Sequence, residues 1–354
     1  MRRVHILLIT SLAMLFTFVL LYTLLARTAT PAPFGHEGLD AAVREAFEHQ
    51  GGRVARNDLE RLLELDASGR GIDDLEGIGR MPNLTRLDLR GNRITDLSPL
   101  ATLSRLESLD LGDNSIVDLA EVNLDALSQL PQLRELSLRY NRGPSHPQRP
   151  GEHDRISDLS SLAALETLEV LDLSDNHIED VTPLGRLIRL RSLDLSENRL
   201  ADDALSALSS LRRLEHLNVR ENNVRDLSGL SELTTLRYLN LHSNTGVQSV
   251  VPLAALVSLE ELILRNVPVE DDVRVLRELT SLRRLNVRNT GIRDLTVLAD
   301  LMAEGALQDD PAAQIFAEVD IRENPIAEGG DGSGYRLLAE YWPNIARRHP
   351  QELP

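Results

Sequence analysis

Residues 84–97 read LTRLDLRGNRITDL, and the same spacing returns at 168–181 as LEVLDLSDNHIEDV and at 190–200 as LRSLDLSENRL. These stretches share the pattern L-x-x-L-x-L-x-x-N-x-I/L/V. The pattern recurs eleven times, mostly 22 to 24 residues apart, and its first positions are Leu62, Leu84, Leu106, Leu133, Leu168, Leu190, Leu214, Leu236, Leu259, Leu282 and Phe316. Eleven in-phase copies predict a repeat array, in which each unit folds only by packing on its neighbours.

The L-x-L segment of each copy predicts a short strand. Because side chains alternate along a strand, the leucines point into the core and the residues between them point outward. Strands of successive copies then pair in parallel, about 4.8 Å apart. The Asn of the pattern lies where the chain turns inward, so its amide is expected to bond backbone groups of adjacent turns.

The second half of each copy predicts the convex side of the array. Pro99, Pro183 and Pro252 recur at one position there, which suits the first turn of a short helical segment. The stretch ADDALSALSSL at 201–211 has the apolar spacing of a true α-helix. The predicted fold class is therefore an α/β solenoid with a parallel β-sheet on its concave face and short 3-10 or α segments on its convex face.

Two motifs carry a resemblance to known families. The 22-residue spacing and the segment DLSPL at 96–100 resemble the SDS22-like class of leucine-rich repeats. LDAAVREAF at 39–47, followed by NDLERLLELDASGRGI at 57–72, resembles the helical N-terminal cap of bacterial internalins. The resemblance covers roughly residues 38 to 326. It implies a bacterial surface protein that binds host or envelope proteins through its concave face.

Caps are predicted at both ends of the array, which occupies residues 62–326. In the N-terminal cap, 38–61, Leu39, Val43 and Phe47 lie on one face of a helix. Asn57 is predicted to start a second helix with Glu60 as its capping partner. In the C-terminal cap and tail, 327–354, the side chains predicted to cover the last repeat are Leu337, Leu338, Tyr341 and Trp342.

The segment before the cap predicts a membrane anchor. Residues 6–26 carry no charge and follow a basic segment at 1–5, and residues 27–37 form a linker. As a helix, this run spans about 31 Å, enough for a bilayer core of about 30 Å. A transmembrane signal anchor is favoured over a cleaved signal peptide, which would give a secreted protein. In both cases the basic end stays inside and the repeats are extracytoplasmic, in the periplasm or at the cell surface.

Composition limits the chemistry of the chain. Its 354 residues include 38 Arg, no Lys and 55 Asp or Glu, which gives a net charge of −17. The acidic excess argues against a nucleic-acid partner, and the lack of Cys excludes disulfides and thiolate metal sites. The sequence contains no nucleophile–base, zinc-protease or phosphate-loop motif. It therefore predicts no enzyme activity, no cofactor and no metal site.

Three columns of outward-facing residues follow from the pattern. The third residue of each copy forms the first column, the fifth forms the middle column and the seventh forms the third column. The third column becomes basic in the later copies, and Arg and Tyr are frequent anchors of protein interfaces. We therefore predict a binding patch on the concave face that contains Arg220, Tyr238, Asn240, His242, Arg265, Arg284, Asn286, Arg288 and Arg322. The alternative is that Asp and Arg of adjacent strands simply pair and solvate this face.

An insertion at 142–155, RGPSHPQRPGEHDR, accounts for the longest step between copies. Its Pro and Gly residues argue against regular structure, so we expect a loop that protrudes from the edge of the sheet. His146, Glu152, His153 and Asp154 suggest a metal, but ligands adjacent in sequence on a loop rarely form a closed site. A solvated loop is the prediction.

These features together predict a function in recognition. The chain is expected to be a non-catalytic, membrane-anchored extracytoplasmic protein that recognises or scaffolds a protein partner through its concave face. One alternative is a regulatory subunit that docks on an enzyme, as the SDS22-like resemblance implies, which would need a cytosolic location. Two further hypotheses are a glycan or cell-wall binder and a purely structural envelope element.

Overall fold

The computed structural model describes residues 34–47, 54–145, 153–309, 317–325 and 338. The predicted anchor at 6–26, the basic segment at 1–5 and most of the linker lie outside the described residues. Among the residues that are described, no helix has both the length and the apolar character needed to span a bilayer. The described residues include the N-terminal cap and one strand from each of the eleven repeats.

The N-terminal cap consists of helix α1 (Glu37–Ala46) and the one-turn helix α2 (Arg56–Leu59). His36 precedes α1, and its Nδ1 accepts a hydrogen bond from the backbone N–H of Gly38 at 2.9 Å. Leu39, Val43 and Phe47 are buried in the same apolar core as the repeats. The predicted amphipathic cap helix is confirmed.

The second cap helix starts at a different residue from the one predicted. Helix α2 begins at Arg56, and Asp58 Oδ2 accepts a hydrogen bond from the backbone N–H of Ala55 at 2.8 Å. Asn57 therefore lies inside the helix and Glu60 follows its end, so the prediction that these two residues form the cap is wrong. The acid three residues after the capping position is the one within reach of that N–H, and this acid is Asp58.

Eleven short parallel strands, one from each repeat, form a single sheet. These strands are β1 (Glu64–Asp66), β2 (Arg86–Asp88), β3 (Ser108–Asp110), β4 (Glu135–Ser137), β7 (Val170–Asp172), β8 (Ser192–Asp194), β10 (His216–Asn218), β12 (Tyr238–Asn240), β13 (Glu261–Ile263), β14 (Arg284–Asn286) and β15 (Glu318–Asp320). The central residue of each strand lies opposite the central residue of the next, as Leu87 does opposite Leu109. These central residues are buried, which confirms the parallel sheet and the inward leucines.

The Asn of the repeat pattern forms a ladder of buried hydrogen bonds along the solenoid. Asn92 shows the arrangement: its Nδ2 donates to the carbonyls of Ala67 at 2.9 Å and Leu89 at 2.7 Å. Its Oδ1 accepts from the backbone N–H of Ile72 at 3.0 Å. Equivalent bonds to carbonyls are made by Asn114, Asn141, Asn176, Asn198, Asn222, Asn244 and Asn324. Each amide thus joins two adjacent turns of the chain, as predicted.

The ladder changes at two places. Val267 and Thr290 occupy the Asn position of the ninth and tenth repeats, and the Thr290 hydroxyl takes over one bond by donating to the carbonyl of Val287 at 2.8 Å. At the insertion, Asn176 Oδ1 is buried without a hydrogen-bond partner among the described residues.

The convex side consists of short helical turns stacked on one another. Most are 3-10 helices, at Ile78–Arg80, Ser98–Thr102, Leu124–Gln129, Ser160–Ala164, Thr182–Arg186, Ala204–Leu208, Ser228–Glu232, Val251–Ala255 and Glu270–Glu278. Pro99, Pro183 and Pro252 lie in the first turn of their helices, where the missing N–H costs nothing. The prediction of short helical segments with proline at the start is confirmed.

The α-helix predicted at 201–211 is wrong. The stretch instead forms a bridge strand, β9 (Ala201–Asp202), which pairs with β11 (Asn223–Val224), and then the 3-10 helix Ala204–Leu208. The turn packs closely on the next repeat, since a Cβ added to Gly229 would lie 2.5 Å from the carbonyl oxygen of Leu205.

The insertion at 142–155 forms regular structure at its base, which corrects the prediction of an irregular loop. Strands β5 (Arg142–Ser145) and β6 (His153–Arg155) pair antiparallel. The guanidinium groups of Arg142 and Arg155 lie 5.3 and 5.6 Å from the ring centroid of Tyr140, and Arg155 also forms an ion pair with Asp175. These contacts fix the hairpin base to two repeats. The residues between the strands, including His146 and Glu152 of the suggested metal site, lie outside the described residues.

The last repeats also depart from regular spacing. The long step before the eleventh strand contains helix α3 (Thr296–Ala303), whose apolar side is buried. Of the four side chains predicted to cover the end of the array, Leu338 is buried. Leu337, Tyr341 and Trp342 lie outside the described residues.

Candidate functional site

The three predicted columns are straight rows on the concave sheet. Strand pairing brings Glu64, Arg86, Ser108, Glu135, Val170, Ser192, His216, Tyr238, Glu261, Arg284 and Glu318 together as the first column. The middle column, two residues later, is Asp66, Asp88, Asp110, Ser137, Asp172, Asp194, Asn218, Asn240, Ile263, Asn286 and Asp320. The third column follows the strand ends. All nine predicted patch residues belong to these rows.

Most middle-column side chains accept a hydrogen bond from the backbone at the end of their strand. In Asp88, Oδ1 accepts a hydrogen bond from the backbone N–H of Arg90, two residues later, at 2.9 Å. The same turn is made by Asp66, Asp110, Asp172, Asp194, Asn218, Asn240, Asn286 and Asp320. Asp and Asn are the residues that form such side-chain turns. Their abundance in this column therefore reflects how the strands end and does not by itself indicate a ligand.

Asp172 carries the one clearly raised carboxyl pKa on the described part of the chain. Burial raises the pKa of Asp172 above its ordinary value, two hydrogen bonds from Ser174 oppose the shift, and the neighbouring Asp194 adds to it. The middle column thus holds two carboxylates on adjacent strands, one of them poorly solvated. The charged form of Asp172 is destabilised by the folded state.

We expect Asp172→Asn to stabilise the protein near pH 7 by about 1 kcal/mol or less. Because the pKa of Asp172 is higher in the folded state than in the unfolded state, ionisation of this carboxyl lowers the free energy of unfolding. The loss is complete above the folded-state pKa and absent below the unfolded-state pKa. Asn keeps the acceptor for Ser174, as Asn218 does at the equivalent position. Thermal unfolding at several pH values measures the effect, and the gain should disappear below about pH 4. A gain that is independent of pH would contradict the assigned cause.

Most arginines of the predicted patch are already paired with carboxylates. Arg220 contacts Glu221 at 2.6 Å and Glu197 at 3.4 Å. The remaining pairs are Arg284 with Glu261, Arg288 with Glu323 and Arg322 with Asp320. For these four arginines the structure shows the pairing that the solvated-face interpretation expects. Exposed pairs of this kind contribute little to stability and leave little unbalanced positive charge.

Arg265 is different from the other patch arginines. Its guanidinium forms no ion pair with a described residue. Its Nε is buried without a hydrogen-bond partner in the described part of the chain, a feature that it shares with Arg288. The pKa of the neighbouring His242 responds to this positive charge. Burial lowers the pKa of His242, and Arg265 and Arg220 lower it further. Arg265 thus lies close enough to oppose protonation of His242, and after the hydrogen bond from Arg288 it also helps to lower the pKa of Glu323.

The other patch residues differ in the surface they offer. The rings of His216 and Tyr238 are stacked with centroids 6.2 Å apart, and burial raises the pKa of Tyr238. Asn240 is only 7% exposed, and its Oδ1 accepts from the backbone N–H of His242 at 3.0 Å. Asn240 therefore supports the strand end, whereas the stacked rings present a face to solvent.

Sequence reasoning missed the two repeats in which the middle column is neither Asp nor Asn. These are Ser137, whose Oγ is buried without a partner among the described residues, and Ile263, which places an apolar side chain in a polar row. A hollow of about 180 Å³ opens beside Ile263, lined also by Glu261, Arg284, Asn286 and Glu318. The signal was readable, because these are the two copies whose fifth residue breaks the pattern.

The described residues of the concave face form a surface suited to binding. No group of three His, Asp or Glu in this part of the chain is placed to hold a metal ion. The carboxylates of the concave face lie on an open sheet, where no enclosed pocket surrounds them. What the rows provide is a preformed surface of polar, aromatic and a few apolar side chains.

Comparison with known proteins places this geometry in a family. The model of two-copy leucine-rich repeats matches residues 60–102, 82–125 and 166–210. The chain is 28% identical to the crystal structure of an internalin, InlF, from Listeria monocytogenes, with a TM-score of 0.61, covering 83% of this chain and 85% of that one. It is 31% identical to internalin C2 of the same species, with a TM-score of 0.55, covering 65% of this chain and 96% of that one. No curated protein matches the chain. The chain therefore belongs to the leucine-rich repeat proteins of the internalin type.

Proposed function

We propose that this chain is a non-catalytic recognition protein, held at the membrane by its N-terminal segment, that binds a protein partner with its concave face outside the cytoplasm. The observation that carries the proposal is the preformed eleven-stranded face, whose outward side chains are set by the strand-end turns. A surface that is ordered before binding loses little conformational entropy on association. The similarity in fold to the internalins supports it.

The extracytoplasmic location rests on the uncharged run at 6–26 and the basic end before it. A topology reporter fused after residue 354 tests it. We expect activity from a reporter that works only outside the cytoplasm and no activity from a reporter that works only inside it. The reverse result would favour the regulatory-subunit hypothesis, in which the repeats dock on a cytosolic enzyme.

The use of the concave face is tested by blocking it. The chain has no Cys, so Ser192→Cys introduces a unique thiol in the first column, and Arg186→Cys introduces one on the convex side. Each variant is coupled to a bulky polyethylene glycol maleimide, and the proteins that copurify with the full chain are compared. We expect partner loss only for the Ser192 adduct. Equal retention, or loss with the Arg186 adduct alone, contradicts the proposal.

A glycan ligand is the second candidate, and the stacked pair of His216 and Tyr238 favours it. Aromatic faces on an open groove suit the apolar faces of sugar rings. Thermal-shift measurements with cell-wall fragments discriminate between the two candidates. A rise in melting temperature that Tyr238→Ala removes would support glycan binding, and no rise with any fragment would leave protein recognition as the function.

A further inference from the structure

The two repeats that lack Asp or Asn in the middle column share a second feature. The third-column residue that follows is Arg139 in one case and Arg265 in the other. Neither arginine forms an ion pair with a described residue, unlike Arg90 with Asp88 or Arg322 with Asp320. These two arginines therefore differ from Arg220 and Arg288, which follow Asn and pair with glutamates outside the middle column.

The surroundings of these two arginines differ. Arg139 is exposed beside Ser137, and its column neighbours are Gly112 and Ser174. Arg265 is half-buried, and its Nε has lost solvent without gaining an acceptor among the described residues. Leaving a charged donor desolvated and unpaired costs free energy. Because Arg265 is already half-buried, pairing with a partner's carboxylate removes less water from it than from the exposed Arg139, so Arg265 has more to gain from binding.

Ile263 lies two residues before Arg265 and is the apolar member of the middle column. It lines a hollow of about 180 Å³, whose other lining residues are Glu261, Leu262, Arg284, Leu285, Asn286, Glu318 and Asp320. Pockets for whole small ligands measure about 300 to 1,000 Å³, so this hollow suits a single side chain of a larger partner. Residues two apart in an extended chain lie about 6 to 7 Å apart on one face.

We propose that Ile263 and Arg265 form the anchoring subsite of the concave face, which takes an acidic protein segment. A carboxylate of the segment pairs with the Arg265 guanidinium, and a large apolar side chain two residues away packs on Ile263 in the hollow. Charge complementarity sets the choice of partner, because the other patch arginines are already paired with Glu or Asp of this chain. This inference rests on the proposed function and names where and what the face binds.

The proposed subsite explains why the ninth repeat lacks the strand-end turn that Asn forms in the neighbouring repeats. Asp or Asn at position 263 would accept from the backbone N–H of Arg265, as Asn240 and Asn286 do for the equivalent residues. The same oxygen would also lie close to the guanidinium and compete with an incoming carboxylate. Ile at this position leaves Arg265 available and adds apolar contact area, which are the two features of a buried interface anchor.

Selection from a random displayed peptide library on the immobilised full chain tests the proposal. We expect enrichment of peptides with Asp or Glu two residues from Leu, Ile, Val or Phe. Arg265→Gln should weaken the selected peptides at least tenfold, because a desolvated ion pair is lost. Ile263→Asn, which restores the turn of the neighbouring repeats, should weaken them several-fold.

Arg139→Gln is the matched control, since it removes one free arginine of the same column and changes the net charge equally. It should leave peptide affinity within about twofold of the unchanged chain, and circular dichroism spectra of all three variants should coincide. Selection of no peptides, of peptides without acidic residues, or of peptides indifferent to Arg265→Gln overturns the subsite. If the Ser192 adduct still blocks peptides whose affinity does not change with Arg265→Gln, the proposal of recognition by the concave face is retained and only the subsite is rejected. If that adduct leaves them bound, both proposals fail.

Discussion

Leu195→Asp is expected to unfold the repeat array around the sixth repeat and to lower the melting temperature sharply. Leu195 has no exposed surface, and its backbone N–H donates to the carbonyl of Asn218 in the next strand at 2.8 Å. A carboxylate at this position has no cation to pair with in an aliphatic core, and an unpaired buried charge costs several kcal/mol. Domains have only about 5 to 15 kcal/mol of stability, so the change removes a large share.

The loss should spread to both neighbours, because a repeat is stabilised mainly through the interfaces with the repeats on either side. Far-UV circular dichroism during heating measures it. Ser192→Asp is the control, since it puts the same group on the outward side of the same strand, where we expect a change within about 1 kcal/mol. A melting curve for Leu195→Asp that matches the unchanged chain would contradict the placement of Leu195 in the core.

Asn141→Ala is expected to cost the next largest amount of stability, about 3 kcal/mol or more, because several buried backbone groups lose their partner at once. Asn141 has no exposed surface. Its Oδ1 accepts from the N–H groups of Asn114 at 2.8 Å and Ile116 at 3.1 Å. Its Nδ2 donates to the carbonyls of Leu111 at 3.1 Å and Leu138 at 2.9 Å. Urea denaturation gives the free energy of unfolding directly.

Asn83→Ala is the matched control for the ladder. The half-buried Asn83 makes one solvent-exposed bond, from Nδ2 to the carbonyl of Glu60 at 2.6 Å. Losing a solvent-accessible bond of this kind should cost less than about 1 kcal/mol. If both substitutions had the same small effect, the buried amides would not be what holds adjacent turns together.

The parts of the fold that follow from periodicity could be predicted from the sequence. Alternation along L-x-L fixes which residues point inward, so the rows that contain Arg220, Tyr238 and Arg284 were assigned correctly. The Asn position has one geometric solution in a stacked array, which is why the ladder was also predictable.

The errors arose where packing between repeats outweighs local preference. The stretch 201–211 has helical spacing, but its start pairs with β11 of the next repeat and the following 3-10 helix packs closely on Gly229. The insertion has Pro and Gly throughout, but the stacking of Arg142 and Arg155 on Tyr140 holds its base as a hairpin. The Gly229 contact joins two repeats and the Arg155 contact joins the two ends of the insertion, so neither follows from a local sequence pattern.

The candidate site was predicted in outline but not in its distribution of charge. A sequence shows how many arginines lie in the third column, whereas the structure shows which of them already have a carboxylate. Arg288 and Arg322 pair with Glu323 and Asp320, and Arg265 keeps its charge free.

Photocrosslinking from single introduced cysteines tests the central claim most directly, because a chain without Cys accepts one label at one known place. A benzophenone maleimide is attached in turn at Ser108, Ser192 and His216 of the first column, and at Arg186 and Gln129 of the convex side. The full chain is then irradiated in its native membrane, and the attached proteins are identified by mass spectrometry. The account predicts one protein attached at the concave positions, most strongly at His216, which of the three lies nearest to Arg265. A protein attached chiefly at Arg186 or Gln129 would show that the curved sheet is not the surface that binds.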